Sequence, residues 1–344
     1  MVTNDATIVH LKHHIMERVA RLEWEDNLNE ESLNALTMEL SPGPVAQYRC
    51  CVYKERTIIG QRIRLSQAQN PDPESDSKNI VQVIRTACEE CPLAAYTVTD
   101  NCRLCMGKAC INSCRFGAIS IGERRTRIDP TKCKECGMCA NACPYGAIAH
   151  LVRPCKRACP VGAITYDDYG ICNIDESKCI QCGHCIHSCP FGAIGSKTYL
   201  VDIIREIKAG KEVIAMVAPA TEGQFGTDIT MESLKTDFKE MGFADMVEVG
   251  LGGDMTAAYE SLEWTEAYHE GRKMTTSCCP AFINMQRQHF PKVFKENVSS
   301  IVSPMCAISR YLKKTHPGCV TVFLGPCIAK KSEAGEPTVP DIAD

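Results

Sequence analysis

The residues in this sequence that could do chemistry are its cysteines. Seventeen of the 24 cysteines lie between Cys88 and Cys189, and most follow the spacing C-x-x-C-x-x-C-x-x-x-C-P. This spacing is typical of chains that bind [4Fe-4S] clusters, or cubanes, so the predicted chemistry is electron transfer. A disulfide scaffold is disfavoured because the chain is long and its cysteines are clustered. Zinc is disfavoured because runs that end in Cys-Pro favour iron-sulfur clusters.

The spacing also predicts which cysteines share a cluster, because the fourth cysteine of such a run binds the other cluster of a two-cluster module. The Cys105–Cys110 gap is two residues longer than its counterparts, and a fourth set is formed by cysteines that the rule leaves over. The predicted sets are Cys102, Cys105, Cys110 and Cys143 (first); Cys133, Cys136, Cys139 and Cys114 (second); Cys179, Cys182, Cys185 and Cys159 (third); and Cys88, Cys91, Cys155 and Cys189 (fourth). We therefore expect three or four [4Fe-4S] clusters.

Three other cysteines are predicted not to be ligands. Cys172 stands seven residues before Cys179, and the equivalent position before Cys133 holds Thr126, so Cys172 is predicted to be a buried apolar thiol. Cys50 and Cys51 have no ligand spacing to nearby cysteines, which favours core or interface thiols.

The elements that must position these cysteines follow from repeats and periodicity. The segment 114–148 recurs as 159–194 at an offset of 45 to 46 residues, which predicts two bacterial-ferredoxin-like modules in tandem over residues 79–197. Upstream, apolar residues recur at helical spacing over 8–22, around 33–38 and over 55–66, and a polar stretch follows at 67–78. Residues 1–78 are therefore predicted to be an N-terminal helical region and linker.

The texture changes after residue 197. Strands predicted at 212–217, 246–250, 273–276 and 320–324 alternate with helices predicted at 198–209, 231–241, 255–269 and from 304. This alternation predicts an α/β domain with a largely parallel sheet over residues 198–344. Sites in such folds gather at the carboxyl ends of strands, where Pro219, Cys278, Cys279 and Cys327 fall.

Composition excludes several function classes. A net charge of -4 and a sequence pI near 6.2 give no electrostatic signature of nucleic-acid or anionic-lipid binding. No apolar run approaches the roughly 18 residues of a membrane span, and the N-terminus carries no export signal. We expect a cytoplasmic protein whose partners are redox proteins such as ferredoxin.

Three downstream segments closely resemble the first two signature motifs of the [FeFe] hydrogenases: Thr275–Phe282, Ser299–Met305 and Phe323–Glu333. The cysteine region and Tyr48–Glu55 resemble the monomeric, multi-cluster group B type of that family. The resemblance implies an α+β and α/β multidomain fold, in which the ferredoxin-like modules precede a partial hydrogenase catalytic domain. It also implies reversible oxidation of H2 and reduction of protons, with electrons carried by the [4Fe-4S] clusters.

Splitting dihydrogen needs a metal centre, a base, and exits for protons and electrons, and the resemblance implies residues for each. It makes Cys279 and Cys327 two of four ligands of a cubane joined to a di-iron unit with CO and cyanide, together called the H-cluster. It makes Cys278 the first proton relay. The other implied roles are proton transfer by Glu260, Glu263 and Ser299, donation to a cyanide by Lys330, and lining of the di-iron pocket by Ala218 and Pro219. The alternative for Glu260 and Glu263 is a solvated helix face.

The sequence departs from the family pattern in three places. Gly325 stands where many members have methionine, and Met305 stands where many have a polar residue. The last family motif, Glu-x-Met-x-Cys-x-Gly-Gly-Cys, is absent, and Cys319 is a poor substitute because a strand of eight residues would hold it about 26 Å from Cys327. Cys306 is isolated. We therefore expect a truncated chain, or one that depends on a second polypeptide.

Two other functions stay open. The chain could be a non-catalytic electron-transfer or H2-sensing protein, or a hydrogenase-like iron-sulfur assembly factor. Cys278, Glu260, Glu263 and Lys330 favour the hydrogenase lineage, because a proton relay has little use without turnover. A nickel-iron hydrogenase is disfavoured because paired C-x-x-C motifs are missing near both ends.

Overall fold

Three helices form the N-terminal region of the computed structural model, which describes residues 6–88, 91, 95–226 and 228–335. They are α1 (Ala6–Trp24), α2 (Glu30–Leu40) and α3 (Val52–Leu65), and they confirm the three predicted helices. Their buried apolar residues, including Ile15, Val19 and Ile59, pack into one cluster. Burial of these helical faces from water holds the region together.

Cys50 and Cys51 are exposed, so of the two predicted placements the core is wrong and the interface stays a prediction. The physical reason is that Cys51 lies at the start of α3, where its Sγ accepts a hydrogen bond from the Lys54 amide at 3.4 Å. Helix starts leave amides without partners inside the helix, and a side-chain acceptor satisfies one of them.

Short strands and helices make up the cysteine-rich region. In chain order they are β1 (Val81–Val83), β2 (Tyr96–Val98), α4 (Ala109–Asn112), β3 (Ile119–Ile121), β4 (Thr126–Ile128), α5 (Met138–Ala142), β5 (Ile148–His150), α6 (Pro154–Ala158), β6 (Ile164–Tyr166), β7 (Cys172–Ile174), α7 (His184–Ser188) and β8 (Ile194–Ser196). All pairs are antiparallel: β2 with β5, β3 with β4, β6 with β7, and β1 with β8. Each module therefore consists of two antiparallel strand pairs, and in the sequence one pair lies between the two strands of the other.

The two modules are nested, which corrects the prediction of modules in tandem. Strand β1 pairs with β8, and the whole of the other module, from β2 to β5, lies between them in sequence. We call β2–β5 the inner module, and β1 with β6–β8 the outer module. The outer module is interrupted after Cys88 and Cys91 and resumes at Cys155, so these cysteines are the counterparts of Cys102, Cys105 and Cys110. The sequence repeat begins after the interruption and therefore hides it.

The C-terminal region is a three-stranded parallel sheet with helices. In chain order the elements are α8 (Leu200–Lys208), β9 (Val213–Val217), α9 (Met231–Glu240), β10 (Asp245–Glu248), α10 (Val249–His269), α11 (Pro280–His289), α12 (Pro291–Asn297), α13 (Pro304–Thr315), β11 (Val320–Leu324) and α14 (Ile328–Gly335). The strand order is β10-β9-β11, and every residue of β9 is buried. The predicted α/β arrangement with a parallel sheet is confirmed for the described residues.

Two predicted elements differ. Helix α10 begins at Val249, directly after β10, six residues before the predicted start. The predicted strand 273–276 is wrong, since Thr275 forms only an isolated parallel bridge with Val298. Thr275 donates to Asn297 O at 2.7 Å and accepts from Ser299 N at 2.9 Å. One bridged residue therefore fixes the segment that carries Cys278.

The regions contact one another through hydrogen bonds and ion pairs. Glu23 of α1 accepts from Arg205 of α8 at 2.9 Å, and Lys208 donates to the carbonyl oxygens of Glu23 and Trp24. His289 contacts Lys178 O at 3.1 Å and links α11 to the outer module. Among the described helices, none is both long and apolar enough to cross a membrane.

Candidate functional site

Four cysteine loops share one local structure. In each, a cysteine is followed by two residues, then a glycine and an alanine, and the alanine amide donates to the cysteine Sγ. The N···S distances are 3.4 Å at Cys114, 3.4 Å at Cys143, 3.2 Å at Cys159 and 3.3 Å at Cys189. The glycines Gly117, Gly146, Gly162 and Gly192 have φ between 56° and 63°, a left-handed conformation that favours glycine. The turn thus presents each sulfur with a hydrogen bond already made.

The glycine requirement leads to a prediction. Gly146→Ala should destabilise the iron-loaded protein by about 1–2 kcal/mol, since alanine adopts this conformation at that cost. Gly192→Ala should cost more, because a methyl group there would lie 2.7 Å from Arg62 Nη2 and 2.9 Å from Ile8 Cγ2, whereas at Gly146 it meets nothing within 4 Å. Thermal unfolding measures both. Equal shifts in melting temperature would contradict the difference.

The first cysteine set surrounds a cavity. Cys102, Cys105, Cys110 and Cys143 all line a space of about 230 Å³ in the inner module. The two extra residues of the Cys105–Cys110 gap include Met106, which is 96% exposed. Lys108, with φ 43°, then takes the left-handed position before α4 that Gly137, with φ 77°, takes before α5. The insertion therefore bulges outward and leaves Cys110 in the place of Cys139.

The second and third sets also bring their thiols together. Burial raises the pKa of Cys139, and the Cys133 and Cys114 thiolates raise it further. Burial also raises the pKa of Cys185 to about 12, with the Cys179, Cys182 and Cys159 thiolates adding to it. Because these thiols are protonated at neutral pH, cluster binding must release protons, and iron must offset the repulsion between thiolates.

The fourth set assembles from distant parts of the chain. Burial raises the pKa of both Cys88 and Cys91, and the Cys155 and Cys189 thiolates raise each of them further. Nesting explains this proximity: because β1 pairs with β8, Cys88 lies in the outer module together with Cys155 and Cys189.

Cys172 is buried, as predicted, but it lies beside the fourth set. Its amide donates to Cys88 Sγ at 3.3 Å, and a hydrogen bond from its thiol is the main cause that lowers the pKa of Cys155 to about 6. Thr126 holds the same place in β4, and its Oγ1 lies 3.9 Å from Cys102 Sγ. Two residues of different type thus contact equivalent cysteines, which favours a supporting position for Cys172.

The donor sets fit clusters better than single ions. No group of three or more His, Cys, Asp or Glu side chains among the described residues is placed to bind one metal ion. Sulfur ligands of a cubane stand around a whole cluster and are more widely separated than ligands of one ion. Cys-only sets around a cavity, with amides directed at sulfur, match the ligand chemistry of [4Fe-4S] clusters.

The loops after β9 and β11 and the loop before α11 meet in what we call the terminal site, formed by Ala218-Pro219, Cys278-Cys279 and Cys327. The Ala218 amide donates to Leu324 O at 2.9 Å. Lys330 Nζ donates to Cys278 O at 3.3 Å and to Glu333 Oε2 at 2.8 Å, and both of these charged side chains are buried. Lys330 therefore ties the Cys327 loop to the Cys278 loop.

Close packing accounts for one departure from the family pattern. A Cβ atom on Gly325 would lie 2.9 Å from the Ala218 Cβ and 2.7 Å from the Phe323 ring. A methionine at this position requires a different loop arrangement. Met305, the other departure, is buried in the core cluster with Cys306 and Cys319.

The third cysteine set lies against the terminal site. Burial raises the pKa of Cys182, and the thiolates that raise it further include those of Cys159 and Cys279. A Cβ atom on Gly183 would lie only 2.4 Å from Ile328 Cδ1, so the residues after Cys182 and Cys327 are in contact. The third cysteine set is therefore in contact with the loop that follows Cys327.

Polar side chains extend from Cys278 toward α10. Thr276 Oγ1 donates to Cys278 Sγ at 3.2 Å, and the Ser277 amide donates to Glu260 Oε1 at 3.1 Å. The buried Ser299 hydroxyl donates to Glu263 Oε2 at 2.7 Å. The two glutamates are therefore hydrogen-bonded and partly buried rather than on a solvated face.

The backbone of Ile301 joins these two halves. Its carbonyl oxygen accepts from Ser277 Oγ, and its amide donates to Ser299 Oγ at 3.1 Å. Sequence reasoning missed Thr276 and Ser277 as members of this group. Their signal was available, since both hydroxyl residues immediately precede Cys278.

Three segments of the chain match known family models. Residues 211–343 match the family model "Iron only hydrogenase large subunit, C-terminal domain", residues 126–149 match "4Fe-4S binding domain", and residues 153–193 match "4Fe-4S dicluster domain". The chain is homologous to iron hydrogenases. It is an iron-sulfur protein related to the iron-only hydrogenase large subunit, with 4Fe-4S domain matches in its ferredoxin-like region and a mixed α/β fold.

The relatives differ in how much they share with this chain. Iron hydrogenase 1 of Clostridium pasteurianum is 29% identical over an alignment of 229 positions that covers 61% of this chain and 39% of that protein. The periplasmic [Fe] hydrogenase large subunit of Nitratidesulfovibrio vulgaris is 27% identical over an alignment of 163 positions that covers 41% of this chain and 38% of that protein. The electron transport protein HydN of Escherichia coli K12 is 42% identical over 53 residues, 15% of this chain and 30% of that protein. The chain thus spans about two fifths of the hydrogenases it matches.

Proposed function

We propose that this chain is the electron-carrying part and half of the catalytic site of a group B type [FeFe] hydrogenase, which oxidises H2 and reduces protons reversibly. One observation carries the proposal: a route for electrons and a route for protons meet at the Cys278-Cys279 pair. The Cys279 thiolate raises the pKa of Cys182 of the third cysteine set, whose neighbour Gly183 packs on Ile328, and Cys278 begins the polar group that includes Glu260 and Glu263. Hydrogen chemistry needs an electron exit and a proton exit at one place.

In this proposal the four cysteine sets bind four [4Fe-4S] clusters, and Cys279 and Cys327 bind the cubane of the H-cluster. When bound, the H-cluster supplies the metal centre at which dihydrogen is split or formed. A cubane held by Cys279 and Cys327 would need two further thiolates. Ala218 and Pro219 line the pocket, and Lys330, held by Glu333, points an ammonium group into the same loops.

Protons leave through residues of this chain. Cys278 Sγ holds the first proton, and the Glu260 carboxylate, held by the Ser277 amide, takes it next. Ser299 and Glu263 continue the route, since their oxygens are 2.7 Å apart. Positioned acids and bases of this kind speed proton transfer by about 10²–10⁴-fold.

Electrons enter or leave through a redox protein such as ferredoxin. We place the protein in the cytoplasm, where cysteines stay reduced and available to bind clusters.

Two measurements test the proposal. Anaerobic reconstitution should give about 16 irons per chain for four cubanes. Protein that is supplied with the two further thiolates of the cubane and matured with the di-iron cofactor should then show infrared bands of CO and cyanide, which Cys327→Ala abolishes and Cys306→Ala retains. Protein with about 16 irons but no such bands would overturn the hydrogenase part.

A second candidate is an electron-transfer protein without hydrogen chemistry, including a sensor of H2 or an assembly factor. The similarity to the electron transport protein HydN over 53 residues favours it. It predicts about 16 irons, reversible reduction of the clusters and no CO or cyanide bands under the same maturation.

A further inference from the structure

The four equivalent cysteine loops differ in what covers them. A methyl group built on Gly117, Gly146 or Gly162 meets no atom within 4 Å. On Gly192 it meets Arg62 Nη2 at 2.7 Å and Ile8 of α1 at 2.9 Å. The loop of Cys189 is therefore the one of the four that the N-terminal helices cover.

Arg62 is the charged group of this cover. It lies on α3, is 6% exposed, and its Nη2 donates to Gly192 O at 2.7 Å. Its Nε is buried and has no hydrogen-bond partner among the described residues. Burial lowers the pKa of Arg62 to about 10, the Cys189 thiolate raises it and Arg49 lowers it.

The charges that act on this guanidinium are those of Cys189 and Arg49. Glu55 lines the same cavity of about 290 Å³, where its Oε2 accepts from the amides of Gln47 and Tyr48, at 2.8 and 2.9 Å, and its Oε1 is buried without a hydrogen-bond partner among the described residues. Lys12 of α1 is a second, partly buried cation: burial and Arg62 lower its pKa to about 8, and the Cys189 thiolate raises it. Cys189 therefore supplies the negative charge that acts on Arg62.

Burial of an unpaired cation is costly unless an anion compensates for it. Four thiolates around a cubane provide that anion, and one-electron reduction adds a further negative charge without forming or breaking a bond. A buried cation beside the cluster stabilises the reduced form more than the oxidised form, and little solvent screens the interaction.

We propose that Arg62 raises the reduction potential of the cluster bound by Cys88, Cys91, Cys155 and Cys189 above the potential that this cluster would have without the guanidinium. Arg62 thus acts through its charge, which makes the fourth cluster easier to reduce. The inference rests on the fourth cluster of the proposed function. It is independent of hydrogen chemistry.

The test is a redox titration of the full chain with dithionite under anaerobic conditions, followed by electron paramagnetic resonance. In Arg62→Gln, one cluster should show a reduced-to-oxidised ratio about tenfold lower at its original midpoint, which is about 59 mV for one electron. Arg62→Lys keeps the positive charge, so the midpoint potential of this cluster should return most of the way to its original value. Arg64→Gln is the matched control, because Arg64 lies on the same helix and donates to Asn70 O instead.

The outcomes are distinct. Unchanged midpoints in Arg62→Gln, or equal shifts in Arg62→Gln and Arg62→Lys, would overturn the role of the charge. If Arg62→Gln does not fold, Arg62→Met takes its place in the same titration, and an unchanged midpoint there overturns the inference. Wild-type protein with about 12 irons refutes the fourth cluster itself and this inference with it. Four clusters without CO or cyanide bands would refute the hydrogenase proposal and leave the role of Arg62 standing.

Discussion

Cys155→Ala should remove one cubane, so that iron falls from about 16 to about 12 per chain, whereas Cys172→Ala should leave it at about 16. The two thiols touch, since a hydrogen bond between them is the first cause of the lowered pKa of Cys155. The two cysteines differ in which residues occupy the equivalent positions of the inner module. Cys155 of α6 corresponds to Cys110 of α4, and Cys172 corresponds to Thr126, so only Cys155 stands in a ligand position of both modules.

Iron and protein are quantified on the same reconstituted samples, and the number of paramagnetic clusters is counted after full reduction. Both variants remove one buried thiol from neighbouring positions, so a general loss of packing would affect both alike. Retention of iron in Cys155→Ala with loss in Cys172→Ala would exchange their roles. Loss in both would make Cys172 essential for assembling the site.

Much of the ferredoxin region was predictable because ligand spacing is local. Runs such as Cys133–Cys143 carry their own turns, including the left-handed residues at Glu135 and Gly137. Nesting was not predictable, because β1 pairs with β8 across 110 intervening residues and neither strand records its partner in its sequence. The core placement of Cys50 and Cys51 failed because an apolar residue type was taken as evidence for burial, whereas Cys51 serves as a helix cap.

The C-terminal site depended on resemblance more than on periodicity. The resemblance pointed to Glu260, Glu263 and Ser299, and the structure brings Ser299 and Glu263 within 2.7 Å. Periodicity alone suggested a strand at 273–276, where β-branched residues occur but only one bridge forms. The role of Ser277 could not be predicted from the sequence, because Glu260 and Ile301, which it contacts, are 17 and 24 positions away along the chain.

Glu263→Gln should reduce hydrogen evolution by about 100-fold or more, which is the lower range for loss of a positioned acid or base. Glutamine preserves the shape and one oxygen acceptor for the Ser299 hydroxyl and the Ser300 amide, which now donate to the carboxylate at 2.7 and 3.1 Å. An amide cannot take up and release a proton at neutral pH, so the route stops at this position.

Evolution is measured with a reduced dye as electron donor, on protein matured with the di-iron cofactor and supplied with the segment that completes its cubane. Glu266→Gln is the matched control, because Glu266 is exposed on the same helix, three residues further on. Infrared bands of CO and cyanide should persist in both variants, since neither residue is proposed to bind the cofactor. Full activity in Glu263→Gln would show that protons leave by another route, and the hydrogen bonds of Ser299 would then hold α10 against the Cys278 loop without carrying protons.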